Sequence, residues 1–260
     1  MPINKIFFEY DKSTYCFDPQ QPLDISIPLS EGENQVNCYY AEPIRFQTYR
    51  IGNFVGSVAE GGSCNYQKIS LTPHGNGTHT ECYGHISADK EATIQNCLQQ
   101  FLFFAQLVSV VPIFQNGDSI ITLSQIEPLL TAPMPEALII RTLPNTPEKL
   151  HKKYSNTNPT YLESAVCEFL AKKDVKHLLL DVPSADKEKD GGKLLAHKSF
   201  WQFPNAIRKS CTITELVYVN NDIPDGNYLL NLQIISLQTD ASPSKPILYA
   251  LQEISPKKKA

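Results

Sequence analysis

A mixed α/β chain of one domain, richer in short strands than in helices, is what the sequence predicts. Three observations carry that prediction. Nineteen prolines spread through 260 residues break the chain into many short elements. Two nearly continuous apolar runs, at 137–141 (ALIIR) and 177–182 (HLLLDV), have the pattern of strands covered on both faces. Between them Leu162, Ala165, Val166, Phe169 and Leu170 recur at helical spacing. The stretch therefore reads as strand, helix, strand, with parallel strands and a right-handed crossover.

In chain order, residues 23–29 (LDISIPL) alternate apolar and polar side chains until Pro28, as an edge-capable strand does. The longest apolar run, 101–114, is interrupted by Gln106, Ser109 and Pro112. It falls short of the roughly 20 residues that a bilayer-crossing helix needs, so no membrane partner is expected. Asn116-Gly117-Asp118 and residues 145–158 read as turns or loops. A helix is predicted over 161–173, with Thr160 and Glu163 as its capping box behind Pro159. Residues 187–194 form a loop, and 212–219 and 228–237 are strand-like again.

Composition narrows the function classes. A chain of this length, 42% hydrophobic and 19% charged, excludes disordered and fibrous classes. With 23 basic against 27 acidic side chains the net charge is -4, which gives no basic field to hold nucleic acid. The lysine tail at 257–259 is too short to change that. No apolar leader with a small-residue cleavage site follows Met1. The seven cysteines (16, 38, 64, 82, 97, 167, 211) are odd in number and lack a Cys-x-x-Cys pair. They read as free thiols of a cytoplasmic protein, which makes the Asn76-Gly77-Thr78 glycosylation sequon accidental. Gly191-Gly192-Lys193 lacks the upstream glycine of a phosphate-binding loop, so nucleotide enzymes are disfavoured.

Chemistry concentrates in residues 73–85 (PHGNGTHTECYGH), where His74, His79 and His85 are three of only six histidines. In an extended segment His79 and Glu81 point to one side, so an imidazole and a carboxylate can meet one cation. His85 can return to the same place after the Tyr83-Gly84 bend, and glycines at 75, 77 and 84 allow close approach or positive φ. Nitrogen plus carboxylate donors suit zinc, manganese or ferrous iron better than calcium or magnesium. Further ligands must come from elsewhere, and His197 and Glu215 are the candidates.

Gly77-Thr78-His79-x-Glu81-x-x-x-His85 resembles the signature H-x-G-T-H-x-D-x-P-x-H of the cyclase family, which includes bacterial-type kynurenine formamidases and isatin hydrolases. Asp24-Ile25-Ser26-x-Pro28-Leu29 is similar to that family's opening strand, and Leu138-Ile139-Ile140-Arg141-Thr142 to its central one. Leu180-Asp181-x-Pro183-Ser184-x-Asp186 is similar to its late turn, with His197 and Glu215 following in order, so the resemblance spans roughly residues 20–252. It implies a swivelling β/β/α fold, a homodimer or homotetramer, and hydrolysis of an amide bond in a small molecule. It implies divalent metal, zinc first and manganese second, held by His79, Glu81, His197 and Glu215, with His85 shuttling protons. Glu81 stands where the family has aspartate and Tyr83 where it has proline. His74 lies five residues before His79 instead of four, and is a further candidate ligand.

Phe200 and Trp201, just after His197, are candidates for an apolar wall beside a flat substrate. Two rival readings remain open at this level. Cys82 or Cys64 could serve as a cysteine nucleophile, although Cys82 should point away from His79 and Glu81. The other is a non-catalytic protein of the same fold that binds metal or a small molecule.

Overall fold

The structure is a computed structural model that describes residues 4–254, so the lysine tail at 257–259 lies outside the described residues. Seven strands form a closed ring, numbered here in chain order: β1 (His79–Glu81), β2 (Leu102–Val110), β3 (Ala137–Thr142), β4 (His177–Leu180), β5 (Thr212–Glu215), β6 (Gly226–Ile234) and β7 (Ala241–Ala250). Around the ring the order is β6-β2-β3-β4-β5-β1-β7, and β6 pairs with both β2 and β7 to close it. β2, β3, β4 and β5 run parallel, whereas β1, β7 and β6 are each antiparallel to their neighbours. This is the mixed α/β architecture expected from the sequence.

Burial explains the apolar runs. Every residue of β3 and β4 is buried, because the barrel interior lies on one side and helices or loops on the other. Helix α1 (Ser164–Lys172) connects these two parallel strands and turns Val166, Cys167, Leu170 and Ala171 into the core. Helix α2 (Leu195–Trp201) packs on α1. A three-stranded terminal sheet of Ile6–Tyr10, Ser13–Phe17 and Gln252–Ile254 lies against β2, with Tyr10 stacked on Phe104 at 4.3 Å. Among the described residues no helix is long and apolar enough to cross a membrane.

Three elements differ from expectation. The predicted helix starts later, because Tyr161 and Leu162 instead pair in parallel with Ile120 and Ile121. Thr160 Oγ1 then bonds Ser119 Oγ at 2.8 Å, and the Glu163 carboxylate accepts from Leu123 N at 3.0 Å, so the capping box does not form. Sheet pairing outcompetes the local cap. The strand over 23–29 shortens to Leu23–Asp24, because the Asp24 carboxylate accepts from Ser26 N and Ser26 Oγ and bends the chain. The strand over 212–219 ends at Glu215, where Leu216 adopts φ 56°. Asn116 (φ 53°) and Gly117 (φ 85°) form the expected turn.

Candidate metal centre

The segment 72–85 is shaped before any ligand is considered. Pro73–Asn76 is one helical turn, and Asn76 is buried, its amide donating to Glu42 O while its oxygen accepts from Thr72 N. The sequon asparagine is therefore a structural brace. At Gly77 (φ 157°) a Cβ would lie 2.5 Å from Leu29 Cδ2. Thr78 Oγ1 donates to Leu216 O (2.5 Å) and accepts from Ile27 N (2.8 Å), which locks the start of β1 against two other segments. In β1 the side chains alternate: Thr80 bonds Thr214 on one face, while His79 and Glu81 share the other. The register sets His79 opposite Glu215, at the carboxyl end of β5.

Each of three imidazoles is held from behind. His79 Nδ1 donates to Gly77 O at 2.9 Å. His197 Nδ1 donates to Asp186 Oδ2 at 2.6 Å, and Asp186 is itself fixed by Ala196 N and His197 N. His74 Nε2 meets Asp240 Oδ2 at 2.9 Å. The opposite nitrogens converge on the carboxylates: His197 Nε2 is 2.9 Å from Glu81 Oε1, His79 Nε2 3.4 Å from Glu215 Oε2, and His74 Nδ1 3.1 Å from Glu81 Oε2. His85 Nδ1 stands at 3.7 Å from Glu81 Oε2 and 3.5 Å from Asp240 Oδ2, on the partly exposed rim. The structure thus brings together all the side chains expected from the sequence, His74 included. The extra residue before His79 is absorbed in the 73–76 turn.

Among the described residues two groups have donor atoms within 4.8 Å of one another, His74 with Glu81 and His85, and His79 with Glu81 and Glu215. Glu81 belongs to both. His79 Nε2 and Glu81 Oε2 are buried without a hydrogen-bond partner. Leaving such atoms unsatisfied costs about 1–3 kcal/mol each, and a cation between them removes that cost. Histidines fixed through their rear nitrogen are also how protein sites orient imidazole toward a metal. The donor set fits a divalent transition metal.

Electrostatics agree. Burial alone would push the Glu81 carboxyl up, but the facing His85 and His197 outweigh it and hold it well below the usual range. Burial opposes the charge on His197 as well, yet Glu81 and Asp186 raise it well above an ordinary imidazole. His74, similarly opposed by burial, is raised to about 10 by Asp240 and Glu81. These are carboxylates that demand positive charge. A bound cation would take over that role and release the protons.

Other expectations are corrected. Phe200 and Trp201 are fully buried, and Trp201 Nε1 donates to Cys211 O at 2.9 Å, so they support α2 from the core and form no substrate wall. Trp201 packs 5.5 Å from the His197 ring. Cys82 is buried on the far side of β1, its thiol donating to Ala92 O at 3.4 Å. The neighbouring Cys97 and burial push that thiol upward, the opposite of an activated nucleophile. All seven cysteines are free. Asp240 was not visible from sequence, since it joins His74 from 166 residues away.

A barrel with this histidine and carboxylate cluster at one end is matched by the Cyclase family model over residues 23–187. The chain belongs to the cyclase family. It is 25% identical over 238 residues to the kynurenine formamidase of Bacillus cereus, covering 91% of this chain and 98% of that relative. Against the kynurenine formamidase of Bacillus cytotoxicus it is 25% identical over 193 residues, 74% of this chain and 83% of the relative. Among solved structures, isatin hydrolase A of Labrenzia aggregata matches with a TM-score of 0.62 at 12% identity, covering 88% of this chain and 93% of the other. A predicted metal-dependent hydrolase of Bacillus stearothermophilus matches with a TM-score of 0.62 at 17% identity, covering 88% and 98%. These likenesses establish the cyclase-family fold. His74, His79, Glu81 and His85 lie inside the family match, whereas His197 and Glu215 lie beyond it and reach the cluster through α2 and β5.

Proposed function

We propose that this cyclase-family chain is a metal-dependent hydrolase that cleaves the C–N bond of a small, non-peptide amide, a formamide or cyclic amide on an aromatic ring. The observation that carries the reading is the set of three imidazoles, each fixed from behind, facing the shared Glu81 and the adjoining Glu215. Relatives named kynurenine formamidase and fold neighbours named isatin hydrolase support the substrate class.

His79, Glu81, His197 and Glu215 would hold the cation, with His74 beside them; zinc suits the donor set first and manganese second. When bound, such a cation supplies Lewis acidity, which acidifies water and polarises a carbonyl at neutral pH. The protein's own groups do the rest. Asp186 and Asp240 keep His197 and His74 oriented. His85, about a third exposed and next to Asp240, takes a proton from the attacking water and returns it to the departing nitrogen.

The test is elemental analysis with a hydrolysis screen on formanilides, cyclic imides and isatin-like lactams. Near-stoichiometric zinc or manganese is expected, with metal lost in His79→Ala and His197→Ala. His85→Ala should keep its metal and lose about 10²- to 10⁴-fold in turnover. Full metal occupancy in the first two variants would remove them from the ligand set. A wild-type protein that binds one of these compounds and hydrolyses none is a binding protein, and the catalytic reading falls.

A further inference from the structure

The parallel strands β2, β4 and β5 begin at the end of the barrel away from Glu215, which closes β5 and faces His79. A cavity of about 530 Å³ opens there, walled by Tyr83, Cys97, Leu98 and Phe103, with the His177 imidazole among them. None of the side chains of the histidine and carboxylate cluster lines it. The volume suits one small molecule. Cross-strand register explains how the wall is made. His177, Ala137 and Ala105 stand abreast on neighbouring strands, and Phe103 lies two residues before Ala105 on the same face. The two small alanines leave room for the Phe103 ring to lean on His177, with ring centroids 3.9 Å apart.

His177 is only 2% exposed, yet just one of its ring nitrogens is hydrogen-bonded. Nδ1 lies 2.8 Å from Oγ1 of the fully buried Thr212. Among the described residues that hydroxyl has no acceptor other than Nδ1, so it donates there and the ring proton resides on Nε2. Nε2 meets no acceptor among the described residues and opens on the cavity. A buried N–H in this position is destabilising until a ligand brings an acceptor to it. The charged groups around the mouth select that acceptor. Lys176 is tied to Glu136 at 3.0 Å, and the Asp89 carboxylate accepts from Tyr83 Oη at 3.1 Å and Glu91 N at 3.0 Å. Lys209 pairs with no carboxylate among the described residues, which leaves its cation to meet a ligand. Glu91, exposed at the rim, opposes a second negative charge.

We infer that this cavity is a second binding site, for a small aromatic monocarboxylate whose ring lies against Phe103 and Leu98 and whose carboxylate accepts from His177 Nε2, with Lys209 as counter-charge. The apolar wall takes the ring, and the single inward donor fixes its orientation. A charge-assisted hydrogen bond from imidazole to carboxylate is stronger than one between neutral groups, which favours the acid over its amide or ester. The site is separate from the metal centre and does not depend on the hydrolase reading.

Calorimetry with 2-naphthoate on the full chain is the test. Saturable binding should be present in wild type and persist in His79→Ala, in which the metal centre is disabled. His177→Asn keeps a polar group for Thr212 where Nδ1 stood and deletes Nε2, and should weaken binding about tenfold. Lys209→Met, at an exposed position that the fold does not need, should weaken it about three- to fivefold. Methyl 2-naphthoate, which lacks the charge, should bind wild type and Lys209→Met equally. Should His177→Asn fail to fold, Lys209→Met and the ester decide. Wild-type protein without saturable binding overturns the proposal, as does unchanged affinity in Lys209→Met or in folded His177→Asn. Binding lost in His79→Ala and unaltered in the other two variants would move the carboxylate to the metal centre and overturn it as well.

Discussion

Glu81 reaches two histidines at once, with Oε1 2.9 Å from His197 and Oε2 3.1 Å from His74. An aspartate on the same backbone would withdraw the carboxylate by roughly 1.5 Å, the length of one C–C bond, and could not touch both. The longer side chain thus belongs to the altered spacing in front of it, where the 73–76 turn sets His74 back from β1. Glu81→Asp should therefore weaken metal binding about 10- to 100-fold, although it restores the residue common in the family. Competition against a chromophoric chelator measures this, and unchanged affinity would mean that the site does not depend on the reach of Glu81. Residue types and spacing made Glu81 and the histidines legible in the sequence. Asp240 carried no such mark, because a solitary aspartate gives no sign of the imidazole it will meet across the barrel.

β1 is three residues long, yet it positions both an imidazole and a carboxylate because its neighbours leave it no freedom. His79 pairs with Glu215 of β5 on one side and with Pro243 of β7 on the other. The exit from the strand is equally constrained. At Gly84 a Cβ would lie 1.9 Å from Ala92 O, a backbone atom that cannot rotate away. Gly84→Ala should force the 83–86 turn outward, destabilise the fold by about 1–3 kcal/mol and displace His85. Urea unfolding with hydrolysis kinetics checks this; wild-type values in both would show that the turn yields freely. The same scale shows where local sequence reading fails. Thr160 and Glu163 have the spacing of a cap, but a parallel pairing at Tyr161 and Leu162 took those residues into a sheet.

Closure of the ring buries groups that an open sheet would leave wet. His177 at the start of β4 is 2% exposed, stacked 3.9 Å from Phe103 and bonded through Nδ1 to Thr212 Oγ1. Burial, helped by Lys176 and Arg208, lowers it from 6.5 to about 3. The folded chain keeps this imidazole neutral while the unfolded chain protonates it below pH 6.5. Its contribution is complete above that pH and is lost as pH falls toward about 3. The slope reaches about 1.4 kcal/mol per pH unit for one proton. Urea titrations between pH 6.5 and about pH 5 should show stability falling with acid, and His177→Gln should flatten the dependence. An unaltered slope in that variant would show that His177 is protonated in the fold.

Local order alone determined a good part of this protein. The apolar runs of β3 and β4, the helical spacing between them and the His79-x-Glu81 alternation all depend on near neighbours, whose geometry the backbone period imposes. The convergence of His197 and Glu215 on that pair was named from order along the chain, but only the closed barrel realises it, by pairing β5 with β1 and packing α2 on α1. The tertiary structure also decided what local patterns could not. It buried Phe200 and Trp201, turned a cap into a strand, and brought Asp240 to His74. Those outcomes depend on which distant backbone fills each space, and no window of neighbouring residues contains that information.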